Sequence, residues 1–210
     1  MTNRLRILHE QMDACRACPD MIGPVVHGPA IASRVYAIGQ APGAHEGRFG
    51  KPFAWTAGKT MFGWFRDALG VDEQTYRERV YMAAVARCFP GKDPKGGDRK
   101  PDEKEIASCR RFIETEIALL SPELVLPIGM LAIEQVLGEE PGRRLVDVVG
   151  KVLRARYHGA DVDVICLPHP SGASTWHRVE PGKRLLKKAL KLLGAHPAWQ
   201  ATFSDLRAAG

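Results

Sequence analysis

The sequence predicts an α/β fold, with a central four-stranded, mainly parallel sheet between two layers of helices. Short apolar runs alternate with longer stretches whose apolar residues recur at helical spacing. Strands separated by helices favour a parallel sheet, because each crossover lays a helix on one of its faces. At 210 residues, with 45% hydrophobic and 26% charged, the chain can bury one core. We expect a single three-layer α/β/α domain over residues 1–195 and a C-terminal tail over residues 196–210.

Short apolar runs of the kind that form buried strands predict the sheet. Such runs are continuous rather than alternating when both faces of a strand are covered. A further segment, residues 148–157, is typical of a strand or a hairpin arm at the margin of the sheet. The predicted central strands are residues 35–39, 80–87, 124–128 and 162–167.

Apolar residues at helical spacing predict the outer layers. Asp102, with Glu105 three residues later, is suited to cap a helix that ends near Leu120. The tail has weak periodicity, so we expect it to lie loosely on the surface. The predicted helices are residues 3–14, 57–70, 103–120, 130–137 and 183–193.

The charge is basic and clustered. The net charge is +6, and the excess is concentrated in residues 92–104 and 178–191. Clustered positive charge suits a polyanion such as nucleic acid. The alternative is a solvated basic surface that binds no partner.

No run of the sequence suits a membrane. A bilayer-spanning helix needs about 20 apolar residues, and the chain has no run of that length. The N-terminal residues also lack the apolar core of a signal peptide. We expect a cytoplasmic protein.

Five cysteines are present, an odd number for a chain expected in a reducing compartment. Cys15 and Cys18 form a C-x-x-C pair, a spacing that lets two sulfurs turn onto one ion or cluster. Cys88 follows a predicted strand and Cys109 lies early in a helix, so four thiols converge if the N-terminal segment packs near that strand end. A cluster, a zinc ion and no metal all remain open from spacing alone. Cys166 lies in an apolar run and is typical of a buried thiol.

The predicted topology brings distant loops together. In a parallel sheet the loops that follow the strands share one rim, where ligands bind. Residues 40–55, 88–104 and 169–178 follow the first, second and fourth predicted strands. We therefore expect these three segments to be neighbours and to form the active site.

The rim segments carry a family resemblance. GQAPGAHEGRFGKPFAWTAG resembles the first motif of the uracil-DNA glycosylase superfamily, and LPHPSGAST resembles its second. VYMAAVARC, with the later EIASCRRFI, is similar to the iron-sulfur members called families 4 and 5. The match runs over residues 12–193. It implies a DNA-repair glycosylase of the base excision pathway that holds a 4Fe-4S cluster as its metal-binding site through Cys15, Cys18, Cys88 and Cys109.

The resemblance implies hydrolysis of the N-glycosidic bond of uracil or another deaminated base in DNA, which leaves an abasic site. The enzyme must extrude the base to reach it. Phe53 is suited to stack on that base, although it could be a core residue. His169 is suited to donate a hydrogen bond to the departing base, although a lone histidine is often structural. The implied substrate-binding residues are Gly39, Ala41, Pro42, Gly43, Phe53, Ala84 and Ser171.

The residue that positions the hydrolytic water departs from the family pattern. Family 4 members typically have Glu where this chain has Gln40. An amide can orient water but is a poor base. Glu46 in the same loop is the candidate replacement, and the alternative is an exposed loop charge. The predicted catalytic residues are therefore His169, Gln40 and Glu46.

The residues expected to recognise the base and to contact DNA also differ from the family pattern. Ala84 stands where family 4 members often have Asn, which predicts broader or weaker base choice. Ala173 occupies the position of a bulky wedge, so Trp176 or Arg178 is a candidate to fill the gap left by the base. Trp176 could instead anchor the last helix. The predicted DNA-binding residues are Lys59, Arg99, Lys100, Ser174, Trp176, His177 and Arg178.

Three functions remain open from the sequence. The first is a monomeric glycosylase acting on DNA that contains uracil or other deaminated bases. The second is a DNA-binding relative with weakened catalysis, which Gln40 and Ala84 favour. The third is an enzyme of free nucleotides, against which the lack of a Gly-rich phosphate loop argues.

Overall fold

A computed structural model describes residues 1–207, and in this part of the chain five strands form one sheet. The strand order is β2-β1-β3-β5-β4. Strands β2, β1, β3 and β5 run parallel, and β4 pairs antiparallel with β5 at one edge of the sheet. The strands are β1 Val35–Gly39, β2 Tyr81–Ala84, β3 Leu124–Pro127, β4 Leu153–Tyr157 and β5 Ala160–Val164.

The prediction of a three-layer α/β fold is confirmed, but the prediction of four strands is wrong. The additional strand is β4, which lies in the segment expected at the margin of the sheet. A tight turn joins β4 to β5, with His158 at φ 44° and Gly159 at φ 87°, as two-residue hairpin loops require. Arg154 and Arg156 alternate with less exposed residues along β4, so this edge strand lacks the continuous apolar run of a central strand.

Helices cover the sheet. Helices α3, α8 and α9 pack together, and α1 packs on α5. The predicted cap of α5 is confirmed, because Asp102 and Glu105 form a reciprocal capping box. None of the helices in the part that the structure describes is long and apolar enough to cross a bilayer. The helices are α1 Thr2–Asp13, α2 Glu46–Phe49, α3 Thr56–Leu69, α4 Glu73–Arg79, α5 Glu103–Leu120, α6 Met130–Leu137, α7 Leu145–Val148, α8 Gly182–Ala195, α9 Pro197–Thr202 and α10 Ser204–Arg207, with a 3₁₀ turn at Trp176–Arg178.

The expectation of a loose C-terminal tail is wrong for the described residues. Trp199 and Phe203 are buried in the main core. The Trp199 ring lies 5.9 Å from the Phe65 ring and 6.2 Å from the Tyr76 ring. Burial of two large aromatic side chains fixes this segment despite its weak periodicity. Residues 208–210 of the predicted tail lie outside the described residues.

A buried polar network joins α5 to the sheet. Glu116 is fully buried and accepts hydrogen bonds from Tyr36 Oη at 2.5 Å and Tyr81 Oη at 2.7 Å. Its Oε2 also accepts from Arg87 Nη2 at 2.6 Å. His9 of α1 extends the network, with Nε2 at 2.9 Å from Tyr81 Oη. Buried charges need such partners, so the network fixes α1 and α5 against the end of β2.

Candidate active site and cysteine cavity

A pocket of about 600 Å³ opens at the carboxyl ends of the parallel strands, and we call it the rim pocket. Its walls come mainly from residues 39–57 after β1, residues 90–100 after β2 and residues 169–173 after β5. The prediction that these segments are neighbours is confirmed. The rim pocket collects all ten predicted catalytic and substrate-binding residues and one predicted DNA contact, Lys100. The ten are Gly39, Gln40, Ala41, Pro42, Gly43, Glu46, Phe53, Ala84, His169 and Ser171.

Phe53 is held in an unusual backbone conformation on the floor of the rim pocket. Its φ of 52° lies in the left-handed region, which is rare for a bulky residue and marks functional sites. A Cβ on Gly39 would lie 2.9 Å from the Phe53 ring, and one on Gly58 would lie 1.7 Å from the Phe53 carbonyl oxygen. Both glycines are therefore required for the position of the ring.

Arg77 of α4 holds this loop from behind. Its Nη1 donates to the Pro52 carbonyl at 2.8 Å, and its Nη2 donates to the Phe53 carbonyl at 3.0 Å. Its Nε donates to Glu73 at 2.8 Å, which fixes the guanidinium. No sequence pattern indicates this role, since α4 is short, charged and distant from the motif. A guanidinium can support two carbonyls at once because its donors form a planar fork.

His169 is placed as a neutral hydrogen-bond donor. Its ring packs against Gly129, where an added Cβ would lie 3.1 Å from His169 Cδ2. The Ser171 backbone N–H donates to His169 Nδ1 at 3.3 Å. Burial lowers the pKa of His169 below 6.5, although the charge of Asp98 partly opposes that shift. A neutral ring whose Nδ1 accepts carries its proton on Nε2, so Nε2–H is the available donor.

Glu46 is buried, which argues against the alternative of an exposed loop charge. Its Oε2 accepts from the Gly43 backbone N–H at 3.2 Å. Burial raises the pKa of Glu46, while hydrogen bonds from the backbone of Gly43, Ala54 and Phe53 and the charge of Arg77 oppose that rise. The carboxylate both braces the loop and lines the rim pocket.

Asp98 brings a second carboxylate to the rim pocket, and no motif in the sequence marks this residue. Its carboxylate is paired with Lys92 Nζ at 2.6 Å. A Cβ on Gly43 would lie 3.4 Å from Asp98 Oδ2, so the loop after β2 closes over the loop after β1. The only sequence signal was the high charge of the segment that contains it.

Gly39 and Ala84 mark the floor where β1 and β2 end. The two residues are partners in the parallel register, and both line the rim pocket. Neither has a polar side chain, so this part of the floor offers a ligand no side-chain amide. Gln40 follows directly and is half-buried at the pocket wall.

Several predicted DNA contacts lie elsewhere or are already engaged. Arg99 makes two hydrogen bonds with Glu105, at 2.5 and 2.8 Å. His177 is buried, with its ring 5.1 Å from that of Trp64. Trp176 packs on the core, and a Cβ on Gly182 would lie 2.7 Å from its ring, which supports the anchor alternative. Lys59, Ser174 and Arg178 also lie outside the rim-pocket lining, Lys59 and Arg178 being exposed and Ser174 half-buried.

Exposed aromatic rings form the lip of the rim pocket. Trp55 is 44% exposed and Phe49 is 47% exposed, and their rings stack 5.9 Å apart. The His45 ring lies 4.8 Å from that of Trp55. Trp55 also lines the pocket, so a large flat side chain stands at the mouth. Exposed aromatic clusters at a pocket are typical of binding surfaces.

A second cavity, of about 460 Å³, contains four thiols, and we call it the cysteine cavity. Cys15, Cys18, Cys88 and Cys109 line it, which confirms the expected convergence of these segments. Cys166 is buried in the main core instead. Burial and the neighbouring thiols raise the pKa of Cys88 to about 11.

Four cysteine thiols line the cysteine cavity, which is the donor set that a 4Fe-4S cluster takes. Within residues 1–207, no group of three or more His, Cys, Asp or Glu side chains is arranged to hold one metal ion. A 4Fe-4S cluster binds each cysteine through a different iron, so its ligands stand farther apart than those of a single ion. Four thiols around a cavity of this size therefore fit the cluster.

Comparison with known proteins identifies the class. The family model described as the uracil DNA glycosylase superfamily matches residues 25–194. The chain therefore belongs to the uracil-DNA glycosylase superfamily, a class of hydrolytic enzymes, as its motifs predicted.

Curated relatives agree with the resemblance to families 4 and 5. A type-4 uracil-DNA glycosylase from Pyrobaculum aerophilum is 30% identical, over 80% of this chain and 83% of the relative. One from Sulfurisphaera tokodaii is 26% identical, over 65% of this chain and 59% of the relative's length. A type-5 uracil-DNA glycosylase from Thermus thermophilus is 29% identical, over 61% of this chain and 69% of the relative.

Proposed function

We propose that this protein excises uracil and other deaminated bases from DNA by hydrolysing the N-glycosidic bond, which leaves an abasic site. The observation that carries the proposal is the rim pocket, where the Phe53 ring and the His169 imidazole line the same cavity at the strand ends. An aromatic face and a neutral donor are what recognition and departure of a flipped base require. We also propose that the protein acts as a monomer and that it acts in the cytoplasm.

Binding begins with extrusion of the base from the DNA. Phe53 stacks on the base, on a floor kept open by Gly39. Trp55 is the bulky exposed residue at the mouth, whereas Ala173 has too small a side chain to fill the gap in the duplex. We therefore assign the stacking on the neighbouring base to Trp55 rather than to Trp176. Lys100 lies close enough to the pocket to contact a flanking phosphate.

Departure of the base places negative charge on its oxygen. His169 Nε2–H donates a hydrogen bond to that oxygen as the charge develops. A neutral imidazole suits this role because its low pKa leaves it uncharged at neutral pH, and Ser171 fixes the tautomer. The donor is thus prepared before the substrate arrives.

Hydrolysis requires a group that holds water on the sugar side. Gln40 can orient water through its amide, and Glu46 supplies a carboxylate at the same wall. The raised pKa of Glu46 suits a base better than an ordinary glutamate does. Asp98 is the competing carboxylate, and it is more exposed and paired with Lys92.

The cysteine cavity is the proposed site of a 4Fe-4S cluster. Cys15, Cys18, Cys88 and Cys109 would bind its irons as thiolates. Such a cluster would supply redox-active iron and would join the N-terminal segment to β2 and α5. Iron and acid-labile sulfide in anaerobically purified protein test this assignment, and their absence would contradict it.

A relative that binds damaged DNA without excising bases is the second candidate. The absence of a polar side chain on Ala84 and the amide at Gln40 favour it, because each removes a group that family 4 members typically use. This candidate predicts binding to uracil-containing DNA without abasic product.

An oligonucleotide panel separates the two candidates. Duplex and single-stranded substrates with one uracil, hypoxanthine or xanthine are incubated with the purified protein and then cleaved at abasic sites with alkali. We expect cleavage at uracil and at one or more of the other bases. Binding without cleavage across the panel would support the second candidate and overturn the first.

A further inference from the structure

Arg87 is a buried arginine whose hydrogen-bond donors are only partly used. Its side chain is 2% exposed, and its Nη2 donates to Glu116 Oε2 at 2.6 Å. Among the described residues, its Nε and Nη1 have no hydrogen-bond partner. Buried donors are nearly always paired, so two unpaired nitrogens on one charged side chain indicate an acceptor that the described residues do not supply.

The unpaired donors belong to a residue of the cysteine cavity. Arg87 directly precedes Cys88, and its side chain lines the cavity with the four thiols. Burial raises the pKa of the Cys109 thiol, and a hydrogen bond from the Arg87 backbone and the charge of its guanidinium partly oppose that rise. The carboxylate at the cavity belongs to Asp13, and it is paired with His27 at 3.3 Å. The acceptors that this geometry favours are therefore sulfur atoms.

We propose that Arg87 is a positioning residue for the 4Fe-4S cluster: Nε and Nη1 donate to cluster-bound sulfur, and the guanidinium charge sets how readily the cluster is reduced. This inference rests on the cluster assignment made above. Hydrogen bonds to sulfur and the local charge are two determinants of a cluster's reduction potential. A fixed guanidinium suits the role because its fork presents several donors at once.

Glu116 opposes Arg87 in this arrangement. Its buried carboxylate neutralises part of the guanidinium charge and holds the fork in place. Tyr36 and Tyr81 donate to the same carboxylate, so Glu116 has partners besides Arg87. Removing Arg87 takes positive charge away from the cluster, and removing the Glu116 charge takes negative charge away. The two changes should therefore shift the reduction potential in opposite directions.

The experiment compares reduction potentials in full-length protein purified anaerobically with its cluster. The variants are Arg87→Met, which keeps an unbranched side chain without donors or charge, and Glu116→Gln, which keeps the side-chain length. The control is Arg77→Met, an arginine enclosed beside the Phe53 loop and absent from the cysteine-cavity lining. Potentials are measured by redox titration followed by electron paramagnetic resonance. We expect a lower potential for Arg87→Met, a higher one for Glu116→Gln and no change for Arg77→Met. We also expect a chelator to remove iron faster from Arg87→Met than from the parent.

The outcomes separate this inference from the cluster assignment. Parent protein without iron and sulfide would overturn both. A parent with a cluster, and variants whose potentials equal that of the parent or shift in the same direction, would overturn the role of Arg87 alone. If Arg87→Met does not fold, Glu116→Gln decides: a raised potential supports the inference, and an unchanged or lowered one contradicts it.

Discussion

The rim pocket and the cysteine cavity differ in whether their polar groups find hydrogen-bond partners within the chain. At the rim pocket, Arg77 donates a hydrogen bond to the Phe53 carbonyl and the Ser171 backbone N–H donates to His169. Phe53 and His169 are therefore held in position by residues of the chain itself. In the cysteine cavity, burial raises the pKa of Cys88 and leaves donors of Arg87 unpaired. The first site is therefore preorganised by the chain itself, whereas the second keeps unsatisfied donors, as expected of a site that the proposed cluster would complete.

The largest effect should come from His169. His169→Ala removes the donor to the departing base, and loss of one such donor typically costs about 10²–10³-fold in rate. We expect this loss in single-turnover excision of uracil, with the iron content of the parent retained. His177→Ala is the matched control, since that histidine is buried against Trp64 away from the pocket. Equal rates for His169→Ala and the parent would remove His169 from the mechanism.

Replacement of Glu46 should have the next largest effect. Glu46→Gln keeps the shape and removes the charge, so the excision rate should fall roughly 10²-fold if Glu46 is the base. Because burial raises its pKa above 4.5, the parent rate should fall with decreasing pH at a higher pH than for an ordinary glutamate. This fall of the rate at low pH should be absent in Glu46→Gln. Asp98→Asn is the parallel variant. A loss of excision rate confined to Asp98→Asn would assign the role of base to Asp98. No loss of rate in either variant would leave Gln40 as the residue that orients the water.

A smaller effect should distinguish Trp55 from Trp176. Stacking of one base on an aromatic ring is worth roughly 1–3 kcal/mol, so Trp55→Ala should weaken binding to a uracil-containing duplex about tenfold or more. Trp176→Ala should instead lower the melting temperature, because that ring packs on the core. Fluorescence anisotropy and thermal unfolding measure the two quantities. If only Trp176→Ala weakened binding to the duplex, Trp176 rather than Trp55 would be the residue that fills the gap left by the flipped base.

The smallest effect concerns base choice. Ala84→Asn places an amide on the floor beside Gly39, and a good bidentate contact discriminates by about 1–3 kcal/mol in comparable base recognition. We expect the ratio of uracil to hypoxanthine excision to rise by roughly tenfold. Ala84→Leu, which adds a side chain of similar size without an amide, is the control. An unchanged ratio in Ala84→Asn would show that the floor does not set base choice.

Periodicity and topology predict the parts of the fold that they determine. Continuous apolar runs predict the buried strands, and the parallel order of those strands predicts the shared rim. β4 is absent from the predicted count because Arg154 and Arg156 interrupt the apolar run at the sheet edge. The helix at Trp199 has too weak a periodicity to be predicted, because two buried aromatic rings hold it in place.

The site was predictable to the level of its motifs but not of its supports. Phe53 and His169 lie in motifs at strand ends, so the topology alone brings them together. Arg77 supports the Phe53 loop from α4, and Asp98 lines the pocket from the loop after β2, so only the tertiary structure decides where these two side chains point. The unpaired donors of Arg87 were likewise invisible, because pairing depends on distances that a linear pattern does not contain.

The most direct test of the central claim is release of free uracil from a duplex that contains one uracil. The parent protein in excess is mixed with the duplex, and free base and abasic sites are measured in the same samples over time. The rim pocket as described predicts one free uracil for each abasic site and no release by His169→Ala on that timescale. Tight binding of the duplex by the parent without any free uracil would contradict it.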